Sequence, residues 1–213
     1  MKKILGIFTW LWLAAFGIFA LLGCGGEEKS DVIAESAFEP YKTGEEIRLK
    51  SVLGQEITLV RLERGFALKG SEDKTLMFDM FGTFCAPCQK EAPALMAYQL
   101  KNADKFMTIG LVSFDKATDE EVVENFVKKF NAYYFISNSK ENSRIAGQIL
   151  EDINYKRAME IPFKVVIKGG VYQMLSDNLN ERGGEMANYY LGGVTTEIIG
   201  KDIARINGES NLN

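Results

Sequence analysis

The run TLMFDMF, beginning at Thr75, restricts the fold more than any other stretch of this chain. It is short, continuous and built of large apolar residues around one aspartate, Asp79. A strand of that kind has no polar face to offer water, so it belongs in the middle of a parallel or mixed sheet covered on both sides. The flanking patterns supply both the other strands and the cover. FMTIGLVSF, from Phe106, reads as a second buried strand, and NAYYFI as a short third one. IPFKVVIKGGVYQML gives two strands joined at Gly169-Gly170, a strong hairpin signal. Upstream, IRLKSVLGQEITLVRL alternates so that Ile47, Leu49, Ile57, Leu59 and Leu62 fall on buried faces of a hairpin around LGQE. PALMAYQL, ENSRIAGQILEDI and TTEIIGKDIARI read as helices, the last capped near Thr195 or Thr196 with Ile199, Ile203 and Ile206 at one-turn spacing. In TDEEVVENFVKKF, Thr118 can cap a helix with Glu121 three residues on, and Val122, Val123, Phe126, Val127 and Phe130 line one face. The expected fold class is α/β: a central mixed sheet flanked by helices, with an N-terminal β-hairpin extension.

With 213 residues, 46% of them apolar, and four prolines, the chain can bury one sizeable core. A net charge of −4 and the absence of any Lys/Arg block leave no basic face for a phosphate backbone, so no nucleic-acid partner is expected. There is no histidine. That removes the commonest general base and metal ligand, and chemistry must run on cysteine, carboxylate, lysine, tyrosine or backbone.

The start, MKKILGIFTWLWLAAFGIFALLGCGGEEKS, has a basic tip, an apolar run from Ile4 to Leu22 and small residues around Cys24, the layout of an export signal. The run is also long enough to stay as a membrane-spanning helix. LLGC, ending at Cys24, resembles the lipobox of bacterial lipoproteins, which implies lipidation at Cys24. Either way the rest of the chain lies outside the cytoplasmic membrane, on the periplasmic side, where disulfide chemistry is permitted. The Gly/Glu/Lys/Ser-rich stretch that follows reads as a tether. The domain plan is therefore signal or anchor over 1–24, tether over 25–43 and a folded domain over 44–213.

Two of the three cysteines stand in FCAPCQKEAP, directly after the buried strand and a glycine-containing turn, where a helix begins. A thiol at a helix N-terminus sees free N–H groups and the positive end of the dipole, which favour thiolate. Cys85 is accordingly the candidate nucleophile. Cys88, one turn further in, can attack a mixed disulfide formed at Cys85 and release reduced product. A zinc site would need two more soft ligands, and the chain offers only Cys24 across the tether, so no metal is expected. Two inert buried cysteines would leave the strand-turn-helix setting without a reason.

Around the pair the sequence resembles the thioredoxin superfamily. Asp79 stands six residues before the first cysteine, aromatic Phe84 immediately before it, and Pro93 eight residues after it, at the places of that family's buried aspartate, aromatic residue and helix-kinking proline. EIPFKVVIKGGVY, with Ile161-Pro162, resembles the segment carrying the family's cis-proline. The resemblance implies a thioredoxin-like fold, an Asp79 that relays the proton of Cys88, and a substrate groove formed by Phe84, Ala86, Pro87, Ile161, Pro162 and Phe163. Phe163 replaces a frequent threonine and is expected to reshape that groove. The hairpin, the anchor and the segment 106–156 look more like the TlpA-type branch, which contains periplasmic thiol reductases of cytochrome c maturation.

What this implies is a membrane-anchored thiol:disulfide oxidoreductase whose only redox group is the Cys85–Cys88 pair, with no other cofactor. Its partners would be protein disulfides, apocytochrome c among them, and a membrane thiol reductase of the DsbD or CcdA kind. Ala86 and Pro87 add no charge between the cysteines, which favours the reducing direction; a disulfide oxidase or isomerase, and a non-catalytic thioredoxin-like binding module or chaperone, are the alternatives. No dimerisation region is evident, so a monomer is expected.

Overall fold

The computed structural model describes residues 39–209, so the export segment, Cys24 and most of the 25–43 tether lie outside the described residues. Alternation at the start of the domain produces β1 (Glu46–Lys50) and β2 (Glu56–Arg61), paired antiparallel with Leu49 opposite Ile57. The hairpin expected from sequence acquires a third strand, β3 (Phe66–Leu68), which pairs with β2. Leu62 lies beyond β2 and is only half-buried. This small sheet is tied to the rest of the domain by Arg61. Its guanidinium grips Asp152 with both nitrogens, and Asp152 in turn accepts from Tyr172 Oη at 2.9 Å and Gln148 Nε2 at 2.9 Å. Tyr41, which the sequence places in the tether, is buried: its amide donates to Gln148 Oε1 at 2.8 Å and the Arg144 guanidinium lies 3.7 Å from its ring centroid. The folded domain thus starts a few residues earlier than its composition suggests.

The second sheet is built on β4 (Thr75–Phe81), every residue of which is buried. Parallel to it run β5 (Phe106–Val112) and, beyond β5, β6 (Phe135–Ser137); antiparallel on its other side runs β7 (Phe163–Lys168). On β7 pair β8 (Val171–Tyr172) and β9 (Tyr190–Leu191), giving the order β6-β5-β4-β7-β8 with β9 also on β7. The mixed sheet and its central strand agree with the sequence reading. β8 is the second strand of the hairpin expected at Gly169-Gly170, whereas β9 has no counterpart in the sequence pattern, because the chain leaves the sheet edge over 173–189 before returning to β7.

Helices α1 (Ala86–Lys101), α2 (Asp119–Val122), α3 (Glu141–Asp152) and α4 (Thr196–Ile206) complete the domain. The capping box on α2 forms as its sequence requires: Thr118 Oγ1 accepts from the Glu121 amide, and Glu121 reaches back to the Thr118 amide. The helix then continues as a π-helical segment, Val123–Lys128, which buries Phe126 and Val127 and leaves Val123 half-exposed. One core lies on the face that carries Met77, Phe81, Leu95, Phe126, Val166 and Ile199; the other holds Leu59, Phe78, Ile109, Ile149, Val165 and Ile167. Because side chains alternate across a strand, residues 77, 79 and 81 of β4 look toward α1, whereas 76, 78 and 80 look away.

Candidate active site

The cysteines sit where β4 ends and α1 begins. Cys85 is the N-cap of α1, and its Sγ accepts from the Cys88 amide at 3.4 Å. Pro87 in the first turn removes an amide that would have had no helical partner. Cys85 and Cys88 form a disulfide and are both buried, while Phe84, Ala86 and Pro87 are exposed. The turn ahead of them is held from several sides. The amide and hydroxyl of Thr83 both donate to Asp115, Gln89 Nε2 donates to the Thr83 carbonyl at 2.6 Å, and the Ser113 amide donates to the Phe81 carbonyl at 2.7 Å. Cys85 is therefore presented by a fixed loop, with the α1 dipole behind its sulfur.

Ile161-Pro162 is a cis peptide, as the sequence motif led one to expect. It lies beside the aromatic rim: a Cβ placed on Gly82 would fall 2.8 Å from the Phe84 ring and 3.1 Å from Ile161 Cδ1, so the turn needs glycine for those two side chains to approach. The Pro162 carbonyl accepts from the Gly192 amide at 2.8 Å. Among the described residues neither the amide nor the carbonyl of Ile161 has a backbone partner. Phe163 is placed elsewhere. It is fully buried against Tyr155 and Tyr189 on the sheet face away from α1, its ring 5.1 Å from that of Tyr189, so it cannot line the groove.

Beneath the cysteines is a group of three buried charges. Asp79 on β4 pairs in register with Lys164 on β7, and both look toward α1. Lys164 Nζ lies 2.9 Å from Asp79 Oδ1 and bonds Glu91 on α1, whose other oxygen accepts from the Val194 amide at 3.1 Å. The Asp79 contact lacks good hydrogen-bond angles, so it is chiefly coulombic and leaves Oδ1 an open acceptor. The side chains of Lys164, Asp79 and Glu91 are 0%, 2% and 7% exposed.

Two carboxylates around one ammonium leave one negative charge to be buried, and a buried pair of acids answers by holding a proton. Burial raises Asp79 against the pull of Lys164. Burial, with the Asp79 charge added, pushes Glu91 up to about 7. Burial works against the Lys164 charge, but the two carboxylates outweigh it and hold the ammonium. The group can therefore give or take one proton near neutrality while keeping its cation, which is what a general base for a buried thiol requires.

Glu91 and Lys164 are the functional residues that sequence reasoning misses. A signal for the first exists: Glu91 follows Cys88 by three residues, which puts both on the inward stripe of α1. For the second the signal is a lysine inside the apolar strand FKVVIK, a residue type that is almost never fully buried unless paired.

No family model matches the chain, and no curated protein sequence does either. Solved structures do match. A candidate protein disulfide isomerase from Bacteroides thetaiotaomicron aligns with TM-score 0.51 at 18% identity, covering 81% of this chain and 91% of that one. The fold is thioredoxin-like. A DsbF homologue from Corynebacterium diphtheriae gives TM-score 0.50 at 19% identity, over 81% and 94% of the two chains. StoA from Bacillus subtilis gives 0.48 at 17%, over 75% and 97%. In this fold Phe84 is exposed at the cysteine turn, Asp79 is buried on the face of β4 that meets α1, Pro93 lies inside that helix and Ile161-Pro162 is cis.

Proposed function

We propose that the protein is an extracytoplasmic thiol:disulfide oxidoreductase that reduces protein disulfides through Cys85 and Cys88. In the reduced protein the Cys85 thiolate attacks a substrate disulfide. A Cys85–substrate bond forms, the substrate S–S bond breaks, and the first substrate sulfur leaves with the electron pair and takes up a proton. Cys88 then gives its proton to the Asp79/Glu91 pair and attacks the Cys85 sulfur. The mixed disulfide breaks, the second substrate thiol leaves, and the protein is left with the Cys85–Cys88 bond. The substrate gains two electrons and two protons; a membrane thiol reductase of the DsbD or CcdA kind restores the dithiol. The observation that carries this reading is Cys85 as the helix cap, one turn from Cys88, with Asp79 and Glu91 buried around Lys164 on the side of α1 that faces the sheet.

The finer points follow the lipobox and TlpA resemblances and, for the monomer, the lack of an evident dimerisation region in the sequence. The chain is held on the periplasmic side by lipid on Cys24 or by an uncleaved helix, acts as a monomer and serves cytochrome c maturation, with apocytochrome c as substrate. With only Ala86 and Pro87 between the cysteines, no charge favours the reduced form strongly, so the potential lies near the thioredoxin value of about −270 mV rather than the oxidase value of about −120 mV. Equilibration of the purified protein against dithiothreitol and glutathione couples measures this. A value near the oxidase end reverses the direction, and the absence of any reversible two-electron couple sinks the exchange reading. Cys88→Ser, which cannot resolve the intermediate, should accumulate covalent adducts with substrate proteins in cells.

A further inference from the structure

The 173–189 excursion interrupts what would otherwise be one strand along β7. Its neck is an antiparallel pair, with the Leu175 amide donating to the Ala187 carbonyl at 2.7 Å and the Ala187 amide to the Leu175 carbonyl at 3.0 Å. Ser176 is fastened to α4, since Asp202 accepts from its amide at 2.8 Å and its hydroxyl at 2.9 Å. Asp177 closes the tip by accepting from the amides of Glu181, Arg182 and Gly184. Asn178 then turns the loop back toward the site: its Nδ2 donates to the Leu191 carbonyl at 2.8 Å and the Gly193 carbonyl at 3.1 Å.

These bonds hold Leu179 in place although it is 44% exposed. A Cβ on Gly192, whose φ of +68° already favours glycine, would sit 3.3 Å from Leu179 Cδ1; one on Gly193 would sit 3.8 Å from Pro87 Cβ. Leu179 therefore adjoins the strip Gly192-Gly193 that is bonded to Pro162 on one side and packs on Pro87 on the other. Phe84, 62% exposed, stands beside Ile161 around Gly82. The contacts run from Phe84 to Ile161, through Pro162 to Gly192 and on to Leu179, with Pro87 against Gly193, and none of these residues is charged.

We propose that Leu179 is a specificity-determining residue, the second wall of the groove, and that the occupant is an extended polypeptide segment with an apolar side chain next to its disulfide cysteine. This rests on the exchange reading above. The reaction places the substrate sulfur on Cys85, so the chain around that sulfur must lie on this strip. The free amide and carbonyl of Ile161 offer it strand-like hydrogen bonds, and the uncharged margins favour an apolar neighbour over the charged arms of glutathione. An exposed leucine already fixed by its loop loses little further entropy when it is covered.

The test compares kcat/KM of the reduced full-length protein for two symmetric peptide disulfides of equal length, one with valine and phenylalanine beside the cysteine, the other with glycine and serine, and for glutathione disulfide. The wild type should favour the apolar-flanked peptide over both. Leu179→Ser should lower that preference by about tenfold, through KM rather than kcat, and Leu179→Met should restore it. Equal effects of Leu179→Ser on all three substrates, or none, would overturn the assignment while leaving exchange intact. A wild type that reduces none of the three would overturn both.

Discussion

Replacing Lys164 by methionine removes the one cation from the buried group while keeping most of its volume. The ammonium lies 2.9 Å from Asp79 and also bonds Glu91. At an effective dielectric of about 20, one such pair attracts by roughly 6 kcal/mol, and the second carboxylate adds to it. Against that stands the several kcal/mol spent on taking the ammonium out of water, which the mutant recovers. The balance for breaking a buried pair from one side is a loss of about 3–5 kcal/mol, a large share of a domain's stability.

The loss must also depend on pH. Lys164 holds both carboxyls below the values that burial alone would impose, so without it they rise. The mutant then binds protons on folding over a wider range, and its stability falls as pH rises through that range by up to about 1.4 kcal/mol per pH unit for each proton taken up. Lysine's own proton does not confuse the reading. Its folded pKa is raised, so its contribution is fully present below about 10.5 and is lost only as pH rises through the higher folded value. Urea unfolding of Lys164→Met against the wild type should show about 3–5 kcal/mol lost at pH 8 and under about 2 kcal/mol at pH 5. The same loss at both pH values, or less than about 1 kcal/mol at pH 8, would mean that the lysine does not neutralise the two acids, and the proton-sharing account would fall with it.

Glu91→Gln probes the same group from the acid side. Burial and then the Asp79 charge raise Glu91 from 4.5 to about 7, so the folded protein holds a proton there that the unfolded chain has lost, and wild-type stability declines as pH rises through that window. The substitution should flatten the decline by as much as about 3 kcal/mol between pH 4.5 and 7, read from urea midpoints, and an unchanged slope would remove Glu91 from the titration. Asp202→Asn tests how the excursion is held. Burial raises this carboxyl, but hydrogen bonds from Tyr190, Ser176 and Arg205 outweigh it and keep it below the ordinary aspartate range. Its contribution is therefore present above about pH 3.8 and lost as pH falls through the depressed folded value. The variant should lose about 1–3 kcal/mol at pH 7 and converge on the wild type in strong acid; a difference that persists there would point to packing instead.

Signals confined to a few neighbouring residues were legible in the sequence. The apolar run at Thr75, the capping box of Thr118 and Glu121, the Gly169-Gly170 turn and the cysteine pair at a helix start each state their structure within one turn or one strand. The three-residue β3 and two-residue β9 do not, because strands so short have no period to detect and exist only through their partners β2 and β7. The π-helical segment after α2 shares its apolar spacing with an ordinary helix, so nothing in VENFVK distinguishes them. Tyr41 reads as tether by composition, and it is its contacts to Glu141, Arg144 and Gln148 on α3 and to the Phe66 ring that make it part of the fold.

The site residues divide along the same line, and the division explains both the misplacement of Phe163 and the omission of Lys164. Position along the chain sets Phe163 beside the cis-proline, but in a strand adjacent side chains go to opposite faces. Once the cysteines are on α1, the face of β4 that meets α1 is the one carrying Asp79, and antiparallel pairing of Asp79 with Lys164 puts the lysine on that face and Phe163 behind the sheet. Sequence shows that a lysine occurs in FKVVIK; it does not show which residue stands opposite, and a slip of one residue would have exchanged the two roles. The candidate catalytic cysteines and Glu91 follow from local order along α1, whereas the placing of Lys164 opposite Asp79 follows from register. A single strand pairing thus decides whether a lysine or a phenylalanine stands beside Asp79 on the face that meets α1.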